Sequence, residues 1–214
     1  MIALPKPVSA KMKGDITLKY PLILASGSPR RKELLESLNL DFTIIISDVD
    51  ESAFQLDHLS PGDFVAFLAR AKAQEVFKHH KNSYVVGADT VVVLDGKIYG
   101  KPVDDADACR MLSELQGRSH EVYTGICIFN PDPADSAKPF VCAWRRTEVW
   151  MRPMTIEMIQ RYVDGGEPMD KAGAYAIQGH GATLIEKIDG CYFNVVGLSV
   201  NHIATILESF GEAL

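Results

Sequence analysis

The residues best suited to chemistry begin at Ser26-Gly27-Ser28-Pro29-Arg30-Arg31, where a short apolar run gives way to helical spacing. Ser28 is a good N-cap, and Pro29 suits the first helical position. The unpaired N–H groups and partial positive charge of a helix N-terminus suit a phosphate, and Gly27 lets the backbone come close. Two arginines in that first turn oppose the helix dipole, a conflict relieved if an anion binds. The alternative is an ordinary capped helix with solvated arginines. The segment is not a Walker A loop, because Gly-x-x-x-x-Gly-Lys-[Ser/Thr] is absent.

A second candidate is Asp89, set in Val85-Val86-Gly87-Ala88-Asp89-Thr90-Val91-Val92-Val93. A carboxylate within such an apolar run is costly to bury unpaired, so it must meet a cation, a metal or water in a cleft. A polar strand end is the competing reading, and the valines on both sides oppose it. Glu51 closes the acidic run Asp48-Val49-Asp50-Glu51, which could hold a divalent cation through oxygen ligands or be a solvated loop. Lys72 lies on a helix, where a lone lysine is usually a surface residue. Lys101 sits in the rigid turn Tyr99-Gly100-Lys101-Pro102, which could aim its ammonium group. The small-residue segment from Asp170 to Gly179 contains Gln178, whose amide offers a donor and an acceptor. That pair matches the edge of uracil or thymine; a structural loop is the alternative.

The elements that must position these residues follow from pattern. Pro21 to Ala25 is a short buried strand, and Leu34, Leu35 and Leu38 mark the helix after the Ser26–Arg31 turn. Phe42 to Ile46 is a second strand. Pro61 to Lys78 is a helix with Phe64, Phe67, Leu68 and Ala71 on one face. Tyr84 to Leu94 is a valine-rich strand, and Asp95-Gly96 signals a hairpin. Asp104 or Asp105 caps a helix reaching Leu115 and ended by Gly117. Val122 to Phe129, Val141 to Met151 and Thr183 to Ile188 are strands. Thr155 opens a helix closed at Gly165-Gly166, and Asn201 to Phe210 is the last helix. The mixture gives an α/β architecture around a long mixed sheet.

Composition excludes several classes. With 22 Lys+Arg against 28 Asp+Glu, the formal charge is −6, and no basic run suggests a grip on a nucleic-acid backbone. No stretch approaches the roughly 20 apolar residues of a membrane span. Residues 1–19 fail as a secretory signal and are expected to be a mobile extension ahead of a domain over 20–214. Cys109, Cys127, Cys142 and Cys191 form no Cys-x-x-Cys pair, so four reduced, mostly buried thiols in a cytosolic protein are expected.

Taken together, the motifs resemble the Maf family, the septum-formation protein homologues viewed as nucleotide pyrophosphatases. The resemblance rests on Leu24-Ala25-Ser26-Gly27-Ser28-Pro29-Arg30-Arg31-Lys32-Glu33-Leu34-Leu35, then Asp50-Glu51, Ala69-Arg70-Ala71-Lys72-Ala73 and Gly87-Ala88-Asp89-Thr90-Val91. Gly100-Lys101-Pro102, Leu115-Gln116-Gly117-Arg118-Ser119-His120 and Asp170-Lys171-Ala172-Gly173-Ala174-Tyr175 continue it in family order, from about Leu22 to Leu207. It implies an elongated α/β fold like that of inosine triphosphate pyrophosphatases, with a deep cleft between two lobes, a homodimer, and a divalent cation such as Mg²⁺ or Mn²⁺. By position, Asp89 becomes the catalytic base or water-positioning group, and Glu51 shares the metal or water. Lys72 and Lys101 become triphosphate ligands, with Arg30 and Arg31 beside the turn that carries Ser26 and Ser28. Arg30, Thr90 and Gln178 match positions tied to the branch acting on dTTP, UTP and some modified uridine triphosphates. His180, within Gly179-His180-Gly181, departs from the pattern.

Overall fold

The sheet is organised around β3 (Tyr84–Leu94), whose eleven residues are almost all buried. The computed structural model describes residues 16–54, 58–133 and 138–214. The other strands are β1 (Leu22–Leu24), β2 (Phe42–Ile44), β4 (Lys97–Tyr99), β5 (Ser119–Phe129), β6 (Phe140–Met151) and β7 (Ile185–Asp189). Their order is β2-β1-β3-β5-β6-β7, with β4 attached to β3 off this path. β1 and β2 run parallel to their neighbours and the remaining pairs are antiparallel, so the expected mixed α/β sheet is present.

One edge of β3 is shared between two partners. β1 covers Tyr84 to Val86, and β4 covers Val92 to Leu94. Between them the sheet opens, and Asp89 and Thr90 lie in the opening. The other edge stays continuous, with Asp89 opposite Gly125 and Thr90 opposite Thr124 on β5.

Side chains alternate across this strand. Tyr84, Val86 and Ala88 enter one core with α1 (Pro29–Glu36) and α6 (Val200–Ser209). Val92 and Leu94, on the same face, enter a second core with α3 (Asp105–Leu115) and α4 (Ile156–Asp164). Thr90 falls on this face between the two cores. Val85, Asp89, Val91 and Val93 face the opposite way, toward α2 (Pro61–Phe77).

α2 begins at Ser60, whose hydroxyl accepts from Asp63 N, with Pro61 in the first turn. Its buried stripe is Val65, Leu68, Ala69, Ala73 and Val76; the expected Leu68 is on it and Phe64 packs beside it, but the face is turned away from Phe67. Phe67 is largely exposed. The reason lies in the sheet. A Cβ on Gly87 would fall 2.1 Å from Ala69 O, and one on Gly125 would fall 2.4 Å from the Val65 carbonyl. The helix backbone rests directly on two glycines, so small residues must face them.

Gly87→Ala is therefore expected to destabilise the fold by about 2 kcal/mol, the usual cost of overpacking. Because α2 carries Lys72, activity should fall with it. A denaturant midpoint unchanged from that of the parent chain would contradict this packing argument.

Asp95 and Gly96 both have positive φ, 52° and 78°, as the β3–β4 hairpin requires. α5 (Tyr192–Val196), a short helix, lacks a sequence signal and was not anticipated. The expectation of four free thiols is corrected at two positions. Cys127 and Cys142 stand directly opposite each other on β5 and β6 and are joined in a disulfide. They are 15 residues apart in sequence, and only the hairpin brings them together. Cys109 and Cys191 are free. Of the extension expected over 1–19, residues 1–15 lie outside the described residues. Ile16 and Leu18 pack on the first core, and Lys19 N donates to the buried Glu212 carboxylate. Among the described residues, no helix is long and apolar enough to cross a membrane.

Candidate active site

The opening beside β3 is the mouth of a cleft of about 680 Å³. Ser26, Ser28, Arg30, Arg31, Glu51, Lys72, Asp89, Thr90, Lys101 and Gln178 all line it. Residues scattered over 150 positions are brought to one cavity because three connections empty into the β1/β4 gap. β1 delivers the Ser26–Arg31 turn, α2 crosses behind with Lys72, and β4 ends at Gly100-Lys101.

Asp89 is 7% exposed and does not stand unpaired. Lys72 Nζ donates to Asp89 Oδ1 at 2.7 Å and lies 2.8 Å from Glu51 Oε1. The lysine is thus inserted between two carboxylates, not displayed on the helix surface. Burial raises the Asp89 pKa above the ordinary carboxylate value, against the lowering pull of Lys72 and Arg31. Burial likewise lowers the Arg31 pKa, opposed by the charge of Asp89. The guanidinium remains charged throughout the physiological range.

Arg31 is not solvated. Nε donates to Gly197 O at 2.9 Å, Nη1 to Ser26 Oγ at 3.2 Å and Nη2 to Thr90 Oγ1 at 3.2 Å. The hydroxyl directions behind it are determined. Thr124 Oγ1 lies 2.7 Å from Asn194 O, a carbonyl that only accepts, so Thr124 is the donor there. Thr90 Oγ1, 2.9 Å from Thr124 Oγ1, must then donate to it. Its own oxygen is left to accept from Arg31. Thr124 and Asn194 therefore fix Thr90 as an acceptor, and Thr90 aims the guanidinium.

Ser28 occupies the N-cap position of α1 but makes no side-chain capping bond. Ser26 Oγ instead accepts from Ser28 N at 3.3 Å. Arg30 turns the other way. Its Nη1 meets Asp170 Oδ2 at 2.9 Å, and Lys171 Nζ holds the second oxygen, Oδ1, at 2.6 Å. Burial acts to raise the Asp170 pKa, but the bonds from Lys171 and Arg30 outweigh it and lower it. Gly173 N donates to Gly100 O at 3.0 Å, which ties the small-residue segment to the turn bearing Lys101. Lys101 itself is exposed at the rim, and Gln178 is half-buried.

Asp170, Lys171 and Thr124 belong to this site but drew no role from sequence. Asp170-Lys171 was in plain view as an opposite-charge pair heading a small-residue segment. Thr124 carried a fainter signal, a hydroxyl inside an apolar strand.

Among the described residues, no group of three or more His, Cys, Asp or Glu side chains could hold a metal ion. The donor set is two carboxylates that line the cleft, Glu51 and Asp89, both held by Lys72. That set fits Mg²⁺, which usually takes one or two protein carboxylates and completes its shell with substrate phosphates and water.

A buried carboxylate paired with Lys72, in a cleft also lined by Arg30, Arg31, Lys101 and a helix N-terminus, defines an α/β protein with a cleft suited to polyphosphate chemistry. The chain belongs to the Maf family: the model of Maf-like protein matches residues 21–210. A protein of Desulforamulus reducens named dTTP/UTP pyrophosphatase is 47% identical over 191 residues, covering 89% of this chain and 97% of that one. One of the same name from Acetivibrio thermocellus is 49% identical over 200 residues, covering 90% and 96%. Among solved structures, the Staphylococcus aureus Ham1 protein aligns over 77% of this chain and 79% of that chain, at 16% identity and a TM-score of 0.43.

Proposed function

We propose that this chain hydrolyses dTTP and UTP to the nucleoside monophosphate and pyrophosphate. The observation that carries the reading is the Glu51–Lys72–Asp89 cluster, a buried carboxylate held by a cation in a cleft also lined by Arg30, Arg31 and Lys101. The names of relatives sharing nearly half of their residues over almost the whole chain support the same substrates.

In this reading, water attacks the α-phosphorus, the bond to the bridging α–β oxygen breaks, and pyrophosphate leaves. Asp89 accepts a proton from the attacking water. Its raised proton affinity, a product of burial, suits that task. Arg31, Lys72 and Lys101 offset charge on the triphosphate, and the α1 N-terminus with Ser26 and Ser28 offers donors to its oxygens. Glu51 and Asp89 would hold a divalent cation, Mg²⁺ or Mn²⁺, which when bound neutralises phosphate charge and lowers the pKa of bound water. Substrate entry draws Lys72 toward phosphate and so releases the two carboxylates it bridges. A homodimer, implied by the family resemblance, and a cytosolic setting, expected from sequence, belong to the same proposal.

Gln178, which lines the cleft, presents a donor and an acceptor to the base edge. Gln178→Ala is expected to reduce the UTP-over-CTP ratio of kcat/KM by about tenfold. An unchanged ratio removes Gln178 from base recognition.

The activity is tested by measuring pyrophosphate release from a panel of nucleoside triphosphates, with and without divalent metal. Turnover confined to dTTP, UTP and close uridine analogues supports the reading. Preference for CTP or 7-methyl-GTP would redirect it. Binding without turnover, with Mn²⁺ present, would make the chain a nucleotide-binding regulator.

A further inference from the structure

The Glu167 side chain bonds to none of the site side chains described above, yet its carboxylate organises the turn that carries Gln178. Oε1 accepts from Gly181 N at 2.9 Å and from Tyr162 OH at 2.9 Å, and Oε2 accepts from His180 N at 3.0 Å. Those two backbone donors follow Gln178 by two and three residues. Between them and Gln178 stands Gly179, with φ of 62°. A Cβ there would lie 2.9 Å from Glu167 Oε2, so the carboxylate fills the space a side chain at that position would need. The backbone of the same residue serves the other end of the cleft. Glu167 O accepts from Lys171 Nζ at 2.5 Å, Lys171 holds Asp170, and Asp170 holds Arg30.

We propose that Glu167 is a positioning residue for base selection. By seating the His180 and Gly181 N–H groups, it sets where the Gln178 amide stands, and with it the preference for 4-oxo pyrimidines (uracil and thymine) over the 4-amino pyrimidine cytosine. The inference rests on the reading that Gln178 meets the base edge. It separates cleanly from the phosphate end, because the link toward Arg30 uses the backbone carbonyl and survives a change of side chain. It also gives His180 a role that sequence left open: its backbone N–H, not its imidazole, is what the site uses.

The test is Glu167→Gln, which turns one of the two carboxylate acceptors into an amide donor facing the turn. The expected result is about a tenfold fall in the UTP-over-CTP ratio of kcat/KM, expressed mainly as a raised KM for UTP. Competitive inhibition by pyrophosphate, a ligand without a base, should stay within twofold of the parent value. Glu167→Asp keeps both oxygens but withdraws them by one methylene, and should shift the ratio in the same direction if the glutamine variant does not fold. A parallel loss of kcat/KM on both nucleotides with the ratio intact would overturn the proposal and leave Glu167 a purely structural residue. Weakened pyrophosphate inhibition would also overturn it, by placing the effect at the phosphate end. If the parent chain turned over no nucleotide at all, the failure would lie with the activity itself, a result separable from either outcome above.

Discussion

Asp89→Asn is expected to lower pyrophosphate release by at least ~10²–10³-fold while the protein stays folded. The substitution is nearly isosteric, so the packing of β3 between Gly125 and α2 is retained. It removes the proton acceptor and the negative charge together. Folding should tolerate the change because burial already disfavours the ionised carboxylate, as its raised pKa records. Lys72 keeps a carboxylate partner in Glu51, 2.8 Å away. Pyrophosphate release and a thermal midpoint, measured on one preparation, check both halves of this expectation. Full turnover with ordinary metal dependence would remove Asp89 from the chemistry.

Much of this site was legible in the sequence, and the reason is physical. An aspartate between valines must be compensated, and two arginines at a helix N-terminus must be neutralised. Each anomaly demanded a partner, and the structure supplies Lys72 for the first and Ser26, Thr90, Gly197 and Asp170 for the second. β3 was readable to its ends because valine density and the Asp95-Gly96 turn both mark it. The partners themselves were less legible. Lys72 looks like any helix lysine until Gly87 and Gly125 draw α2 onto the sheet and bury its stem.

What escaped the sequence depends on register. The pairing of Cys127 with Cys142 requires the β5–β6 alignment, and the buried stripe of α2 requires knowing that it lies over glycines. Phe67 then loses its place to Ala69 and Ala73, against any hydrophobicity ranking. Glu167 escaped for a related reason. Its partners are backbone N–H groups, which every residue but proline possesses, so no residue type announces them.

Lys72→Met should lower both stability and activity, and a double substitution separates the two. Its side chain is 14% exposed and that of Asp89 11%, so this ion pair is shielded enough to matter. Methionine preserves the stem but leaves Asp89 buried with Arg31 as its remaining cation. Breaking a buried pair from one side typically costs 3–5 kcal/mol, because a charge is left uncompensated. With Arg31 close by, a loss of about 3 kcal/mol is expected, together with ~10²–10³ in turnover. Adding Asp89→Asn removes the stranded charge. The double variant should recover part of the lost stability, since the stranded charge is gone and only a neutral amide lacks the lysine. It should recover none of the activity. Denaturant midpoints and pyrophosphate release for the four proteins give the coupling directly. Additive stability losses in the double variant would mean that Lys72 and Asp89 do not share an energy term, and that the lysine is held by Glu51 alone.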